Sequence, residues 1–127
     1  MKVWVNGTFD VLHRGHIELL KYAASLGVLR VGIDYDDRVK ELKGDTRPVN
    51  TWEDRKFMLE NIVGVDSVVG FGSDEELIEE IKKWNTNIMV VGSDYVGKNV
   101  IGSNNCEYLE FYKKIEGYST TKIISHG

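Results

Sequence analysis

Two histidines three residues apart, His13 and His16, close the segment Gly7-Thr8-Phe9-Asp10-Val11-Leu12-His13-Arg14-Gly15-His16. On a helix that spacing puts both rings on one face. Gly15 between them keeps the surface low, so a phosphate chain could lie across both imidazoles, whose donors would strengthen as charge builds on a reacting phosphate. Gly7 lets the chain turn tightly and lets a ligand approach where a Cβ would stand. A helix starting here would present free N–H groups and a positive dipole end, which favour anions. An isolated H-x-x-H is ordinarily a local cap beside an exposed ring. The aspartate, the two glycines and the preceding apolar run move this one toward a phosphate site. A zinc site fits less well, because the glutamate and the four-residue spacing of H-E-x-x-H are missing.

Other candidate groups have plainer readings. Ser119-Thr120-Thr121 suits the N-cap of a short terminal helix. Arg55 suits a surface partner one helical turn from an acid. Trp4, Trp52 and Trp84 suit core or interface positions, with Trp52 the one nearest the polar 36–50 stretch. Asp74-Glu75-Glu76 reads as acidic bias at a helix start. Cys106, the only cysteine, reads as a small buried hydrophobe, and its solitude excludes an intrachain disulfide and a cysteine zinc cage.

The elements that would hold these groups alternate. Lys2–Asn6 predicts a strand, followed by a helix on which Ile17, Leu19, Leu20, Ala23, Ala24 and Leu26 recur at three- and four-residue steps and which Gly27 ends. Val28–Asp34 predicts a second strand, apolar on both faces. A polar, charged stretch, Asp36 to Asn50, follows and carries the only proline, Pro48. Thr51 and Asp54 form a weak capping box for a helix to about Ile62, and Ser67–Phe71 is a third strand. Ser73 and Glu76 form a better box for a helix carrying Leu77, Ile78, Ile81 and Trp84. Asn87–Gly92 and Glu107–Tyr112 are strands four and five, and Gly117–Ile124 is a loop entering a last helical turn. Such alternation predicts a single α/β domain over 1–127, a doubly wound, Rossmann-like parallel five-stranded sheet with helices on both faces. Ligands bind such sheets beyond the carboxyl ends of the strands, at the switch point, which directs attention to 7–16, 35–50, 92–103 and 116–121.

Composition removes other classes. The 127 residues suit one domain, and 42% hydrophobic with 28% charged residues argues against wholesale disorder. Sixteen Lys+Arg against twenty Asp+Glu give a net charge of −4, which argues against a nucleic-acid binder. No apolar run reaches the ~18–20 residues of a membrane span, and the strand-like opening leaves no signal peptide, so a cytoplasmic protein without membrane contact is expected.

G-T-F-D-x-x-H-x-G-H at 7–16 resembles the signature of the cytidylyltransferase-like nucleotidyltransferases. Glu116-Gly117-Tyr118-Ser119-Thr120-Thr121-Lys122-Ile123 is similar to that family's E-G-x-S-T-T-K-I segment, and Val91-Gly92-Ser93-Asp94-Tyr95 to its strand-four loop over the nucleotide. The resemblance spans the chain in order. It implies transfer of a nucleoside monophosphate from a nucleoside triphosphate to a phosphorylated acceptor, with release of pyrophosphate. Carried over, His13 and His16 contact the triphosphate, with Gly15 between them. Gly7, Thr8 and Phe9 give backbone contacts to the nucleotide, Asp10 faces the acceptor, and Arg55 stands near the acceptor side. Gly92, Asp94 and Tyr95 border base and ribose. Ser119, Thr120 and Thr121 grip the β- and γ-phosphates from the start of the final helix. Mg²⁺ is expected on the triphosphate through phosphate oxygens and water, with no protein metal ligand. A homodimer is also implied.

Leu42-Lys43-Gly44-Asp45-Thr46-Arg47-Pro48-Val49-Asn50 resembles the heptose-1-phosphate adenylyltransferases of lipopolysaccharide precursor synthesis, as does Ile101-Gly102-Ser103. Lys43 and Arg47 could reach the α-phosphate and the acceptor phosphate from this mobile lid, whereas Lys40 reads as surface. Glycerol-3-phosphate cytidylyltransferases are the competing resemblance, in length and in the S-T-T-K-I end. Against them, Lys114 stands where that group has arginine, and Ile62-Val63-Gly64-Val65-Asp66 lacks its other arginine. An active enzyme on a sugar or polyol phosphate is therefore expected, ahead of a silent nucleotide-binding module or a flavodoxin-like domain, neither of which needs both histidines and the second signature.

Overall fold

A computed structural model describes residues 1–113 and 118–123, the latter as backbone. Six strands form one sheet in the order β3-β2-β1-β4-β5-β6. They are β1 (Lys2–Gly7), β2 (Val28–Asp34), β3 (Val65–Phe71), β4 (Ile88–Gly92), β5 (Tyr108–Lys113) and β6 (Tyr118–Ile123). The first five are parallel, as alternation with helices requires, and the chain reverses direction across the sheet between β1 and β4.

The sixth strand corrects the expectation for the tail. Tyr118–Ile123 is not a loop entering a helical turn; it pairs antiparallel with β5, with Glu110 opposite Thr121. Tyr, Thr and Ile suit a pleated surface, and the pairing covers what would otherwise be a bare edge on β5. The sheet therefore has one more strand than the five expected.

Period-two alternation divides the core between two faces. Val3 and Val5 join Leu20 of α1 (Arg14–Leu26) and Leu59 of α3 (Trp52–Glu60) on one side. Trp4 joins Leu77 and Ile81 of α4 (Asp74–Lys83) on the other, with Phe71 and Met89. Each such aliphatic side chain contributes about 1.5–3 kcal/mol on full burial. Gly32 is required beside Trp4, because a Cβ there would lie 2.4 Å from the indole Cζ2.

A helix the sequence did not announce, α2, occupies Asp36–Lys43. Val39 is its only buried residue, so the stretch carries too few apolar positions for a readable period. Asp36 and Asp37 at its start and Lys40 and Lys43 at its end match the helix dipole. At α3 the Thr51 hydroxyl accepts from the Asp54 N–H at 3.2 Å. At α4 Ser73 accepts from the Glu76 N–H, while the Glu76 carboxylate takes the N–H of Gly72. Among the described residues no helix is long and apolar enough to cross a membrane.

Candidate functional site

A cleft of about 700 Å³ opens beyond the carboxyl ends of β1, β2 and β4, where the strand order reverses. Of the residues singled out in the sequence, Gly7, Thr8, Phe9, Asp10, His16, Lys43, Arg47, Gly92, Asp94 and Tyr95 line it. His13, Gly15 and Arg55 do not. Ser119, Thr120 and Thr121 lie in β6, so the helix start expected to present them is absent, and their side chains fall outside the described residues.

The histidine pair is built by the helix it begins. His13 is the N-cap of α1, and its Nδ1 accepts from the Gly15 N–H at 3.0 Å. His16 Nδ1 accepts in return from the His13 N–H at 3.2 Å, a capping box made of two imidazoles. With both Nδ1 atoms accepting, a neutral ring carries its proton on Nε2. The rings stack with centroids 3.8 Å apart, and Phe9 meets His16 edge-on at 5.2 Å. Phe9 holds this place with φ at +49°, a left-handed backbone uncommon for an aromatic residue.

One part of the phosphate argument changes. The N–H groups of His16 and Ile17 both donate to the His13 carbonyl, and Gly15 donates to its ring. The N–H groups of Gly15, His16 and Ile17 at the start of α1 are therefore satisfied internally. An anion in the cleft would meet the His16 ring rather than those backbone donors.

Asp10 is buried, and the 47–50 segment takes up its carboxylate. It accepts from the N–H groups of Val49 and Asn50, both at 2.8 Å, and from Arg47 Nη1 at 3.2 Å. The Asn50 side chain donates to the Asp10 carbonyl. Burial pushes the Asp10 carboxyl up, but these donors outweigh it and hold its pKa below the ordinary value. Asp10 thus anchors the segment that carries Arg47, whose guanidinium is about half exposed at the cleft.

Arg55 departs furthest from both of its sequence readings, the surface partner and the acceptor contact. It is fully buried and donates from Nε to the Asn50 carbonyl, from Nη1 to the Thr8 carbonyl and from Nη2 to Asp36. It ties the Gly7–Asp10 turn, the start of α2 and the start of α3 together behind the cleft.

On the nucleotide-facing side expected at β4, a Cβ at Gly92 would stand 2.6 Å from Asp94 Oδ1, so the glycine lets that carboxylate fold back onto the strand end. Tyr95 is partly exposed beside it. On the β2 side the structure adds residues the sequence reading passed over. Asp34, the last residue of β2, accepts from Thr8 Oγ1 at 3.2 Å and from Arg38 Nε at 2.9 Å. Arg38 also reaches Asp74 at 2.6 Å and lies over the Phe71 ring. Burial alone would lower the Arg38 pKa, but the two carboxylates outweigh it and raise it. A signal was present: an acid closing a parallel strand stands where such sheets bind ligands. Arg38 was hidden inside a stretch read only as polar and charged.

The remaining residues behave as ordinary core. Cys106 is buried, and burial pushes its thiol up to about 12. Trp4 donates to Asn6 and Trp84 to the Val3 carbonyl. Trp52 packs on Tyr35.

Comparison with known proteins follows this geometry. The cytidylyltransferase-like family model matches residues 4–126. The bifunctional protein HldE of Helicobacter pylori strain J99 is 44% identical over 125 residues, 96% of this chain and 26% of that protein. The bifunctional protein HldE of Campylobacter fetus is 46% identical over 124 residues, 97% of this chain and 27% of that one. The chain thus spans about a quarter of the length of these relatives. Among solved structures, the lipopolysaccharide core biosynthesis protein of Thermoplasma volcanium superposes with a TM-score of 0.65 at 26% identity, covering 74% of this chain and 75% of that one.

Proposed function

The chain belongs to the cytidylyltransferase-like family, and from that membership we propose a nucleotidyltransferase that moves a nucleoside monophosphate onto a phosphorylated sugar or polyol. The reading is most like a heptose-1-phosphate adenylyltransferase, in keeping with the likeness to the HldE proteins. In it an acceptor phosphate oxygen attacks the α-phosphorus of a nucleoside triphosphate in line. The bond from that phosphorus to the oxygen bridging toward the β-phosphate breaks, and pyrophosphate leaves.

The observation that carries this reading is the cleft at the β1/β4 switch point, which His16, Lys43 and Arg47 all line. The Nε2–H of His16 would donate to the phosphate chain, and stacked His13 would hold that ring's orientation and add its own donor. The two cations would draw the acceptor phosphate toward the α-phosphorus. Such transfers need little covalent chemistry from the protein; positioning and charge stabilisation supply the acceleration. Gly7, Thr8, Phe9, Gly92, Asp94 and Tyr95 would border the nucleotide, with Ser119, Thr120 and Thr121 on the β- and γ-phosphates. Among the described residues no group of three or more His, Cys, Asp or Glu is gathered to hold a metal. Mg²⁺ would arrive on the triphosphate, held by phosphate oxygens and water, where it would neutralise phosphate charge.

We also propose a homodimer working in the cytoplasm, where nucleoside triphosphates are available; light scattering checks the first part. The test of the reaction is pyrophosphate release with Mg²⁺, crossing ATP and CTP with heptose 1-phosphate and glycerol 3-phosphate. Turnover with ATP and heptose 1-phosphate alone is expected. Turnover with CTP and glycerol 3-phosphate alone would move the protein to the cytidylyltransferase reading, and silence in all four would remove these acceptors.

A further inference from the structure

Asp34 is a buried carboxylate that lines the cleft on the β2 side, away from β4. Burying such a charge is costly unless it is paired and hydrogen-bonded. Two bonds hold it, one oxygen to the Thr8 hydroxyl and the other to Arg38 Nε. An ionised carboxylate offers about four acceptor positions, so each oxygen keeps capacity for another donor. Arg38 is shared between two carboxylates, Asp34 and Asp74, so it does not neutralise Asp34 alone. Lys43 also lines the cleft from the opposite end of α2, about 12 Å along the helix axis from its start beside Asp34, and Arg47 lines it while bonded to Asp10.

From this division we propose that Asp34 is a specificity-determining residue that accepts hydrogen bonds from the hydroxyl groups of the acceptor. The proposal rests on the nucleotidyl-transfer reading for the acceptor's identity as a phosphate ester. The acceptor is oriented with its single phosphate at Lys43 and Arg47 and its hydroxyl-bearing end at Asp34. Thr8 and Arg38 fix the carboxylate so that a polyol meets preset acceptors, with little side-chain ordering left for binding. Sites built around hydrogen bonds to a substrate hydroxyl discriminate strongly against ligands lacking it, because the buried polar group is then left unpaired.

The test is calorimetric binding to the full chain, independent of turnover, with heptose 1-phosphate and methyl phosphate as ligands. Wild-type protein should bind the sugar phosphate at least tenfold more tightly than methyl phosphate. Asp34→Asn keeps the shape and one oxygen for Arg38, while the Thr8 hydroxyl can turn to accept from the new NH2. It should weaken the sugar phosphate about tenfold while leaving methyl phosphate within about twofold, the loss expected when a charge-assisted hydrogen bond goes. Asp34→Ser carries the same expectation should the amide variant not fold. Equal wild-type affinity for both ligands, or a variant that weakens both alike or neither, overturns the proposal. Retained binding selectivity with no pyrophosphate released from any nucleotide would instead fail the transferase reading and leave the hydroxyl site standing.

Discussion

The Nη1 of Arg55 donates to the carbonyl of Thr8 at 3.0 Å, across 47 residues of sequence, from a side chain with no exposed surface. That bond fixes the turn on which Asp10 and the histidine helix depend, and the same guanidinium holds the Asn50 carbonyl at 3.1 Å. Arg55 therefore supports the cleft from behind.

Arg55→Met should accordingly unfold the protein more easily. It leaves two part-buried carbonyls and the Asp36 carboxylate without the guanidinium, at about 1–3 kcal/mol for each unsatisfied group. A loss of roughly 3 kcal/mol corresponds to a drop in Tm on the order of 10 °C for a domain of this size. Arg55→Lys should recover little, because one ammonium cannot reproduce a planar fork with three separate acceptors. Thermal and urea unfolding check this; a Tm within 2 °C of wild type for either variant, a negligible shift on that scale, would refute the clamp.

His16→Gln separates stability from chemistry at the histidine pair. Glutamine at the third helical position can still reach back to the N-cap N–H, so the capping box survives. Stability should stay within about 0.5 kcal/mol of wild type, whereas His16→Ala should lose about 1 kcal/mol with the cap. Turnover should fall at least about a hundredfold in both, since both lose the imidazole, and glutamine's amide N–H cannot take on the positive charge that strengthens an imidazole donor as charge builds on the phosphate. Urea midpoints and pyrophosphate release on the same preparations give the two readouts, and near-normal turnover in His16→Gln would sink the ring's assignment.

The parallel core and the 7–16 turn were readable because their signals are local. Apolar runs at Lys2–Gly7 and Val28–Asp34 and the capping residues Thr51 and Ser73 fix elements from a few neighbours. What escaped depends on partners distant in sequence. The Asp10 bonds reach residues 39 and 40 positions away, and Arg38 meets Asp74 across 36. No spacing rule joins such groups, so the hold of Asp10 on the 47–50 segment and the burial of Arg55 were not legible. Helix α2 was missed because it buries only Val39, and β6 because Ser-Thr-Thr suits a helix cap and a strand edge equally.

Gly92→Ala should act on the nucleotide alone. The backbone there has φ −67° and ψ 155°, which alanine adopts without strain, so stability should change by less than about 0.5 kcal/mol. The new Cβ would meet Asp94 Oδ1 at 2.6 Å and push that carboxylate away from the strand end. Loss of one well-placed hydrogen bond, about 1 kcal/mol, raises the KM for the triphosphate roughly fivefold. The acceptor KM should hold within about twofold of wild type, a shift below that of one lost hydrogen bond. Steady-state kinetics with each substrate varied in turn decide it; an unchanged triphosphate KM would place Asp94 outside the nucleotide site.

Asp10→Asn should reveal a pH-dependent clamp. Because the folded carboxyl has its pKa held below 3.8, the carboxylate stabilises the fold at neutral and mildly acid pH, and that contribution fades only as pH drops through the lowered folded value. An amide has one accepting oxygen in place of two, so it cannot take Val49, Asn50 and Arg47 together. The variant should therefore be about 2 kcal/mol less stable than wild type at pH 7, the loss expected for bonds to a charged acceptor. That gap should persist down to about pH 4 and close below 3.8, where protonation removes the charge from wild type as well. Urea unfolding of both proteins between pH 7 and pH 3 measures it. A gap constant across that range would mean that Asp10 holds the 47–50 segment through shape alone, without its charge.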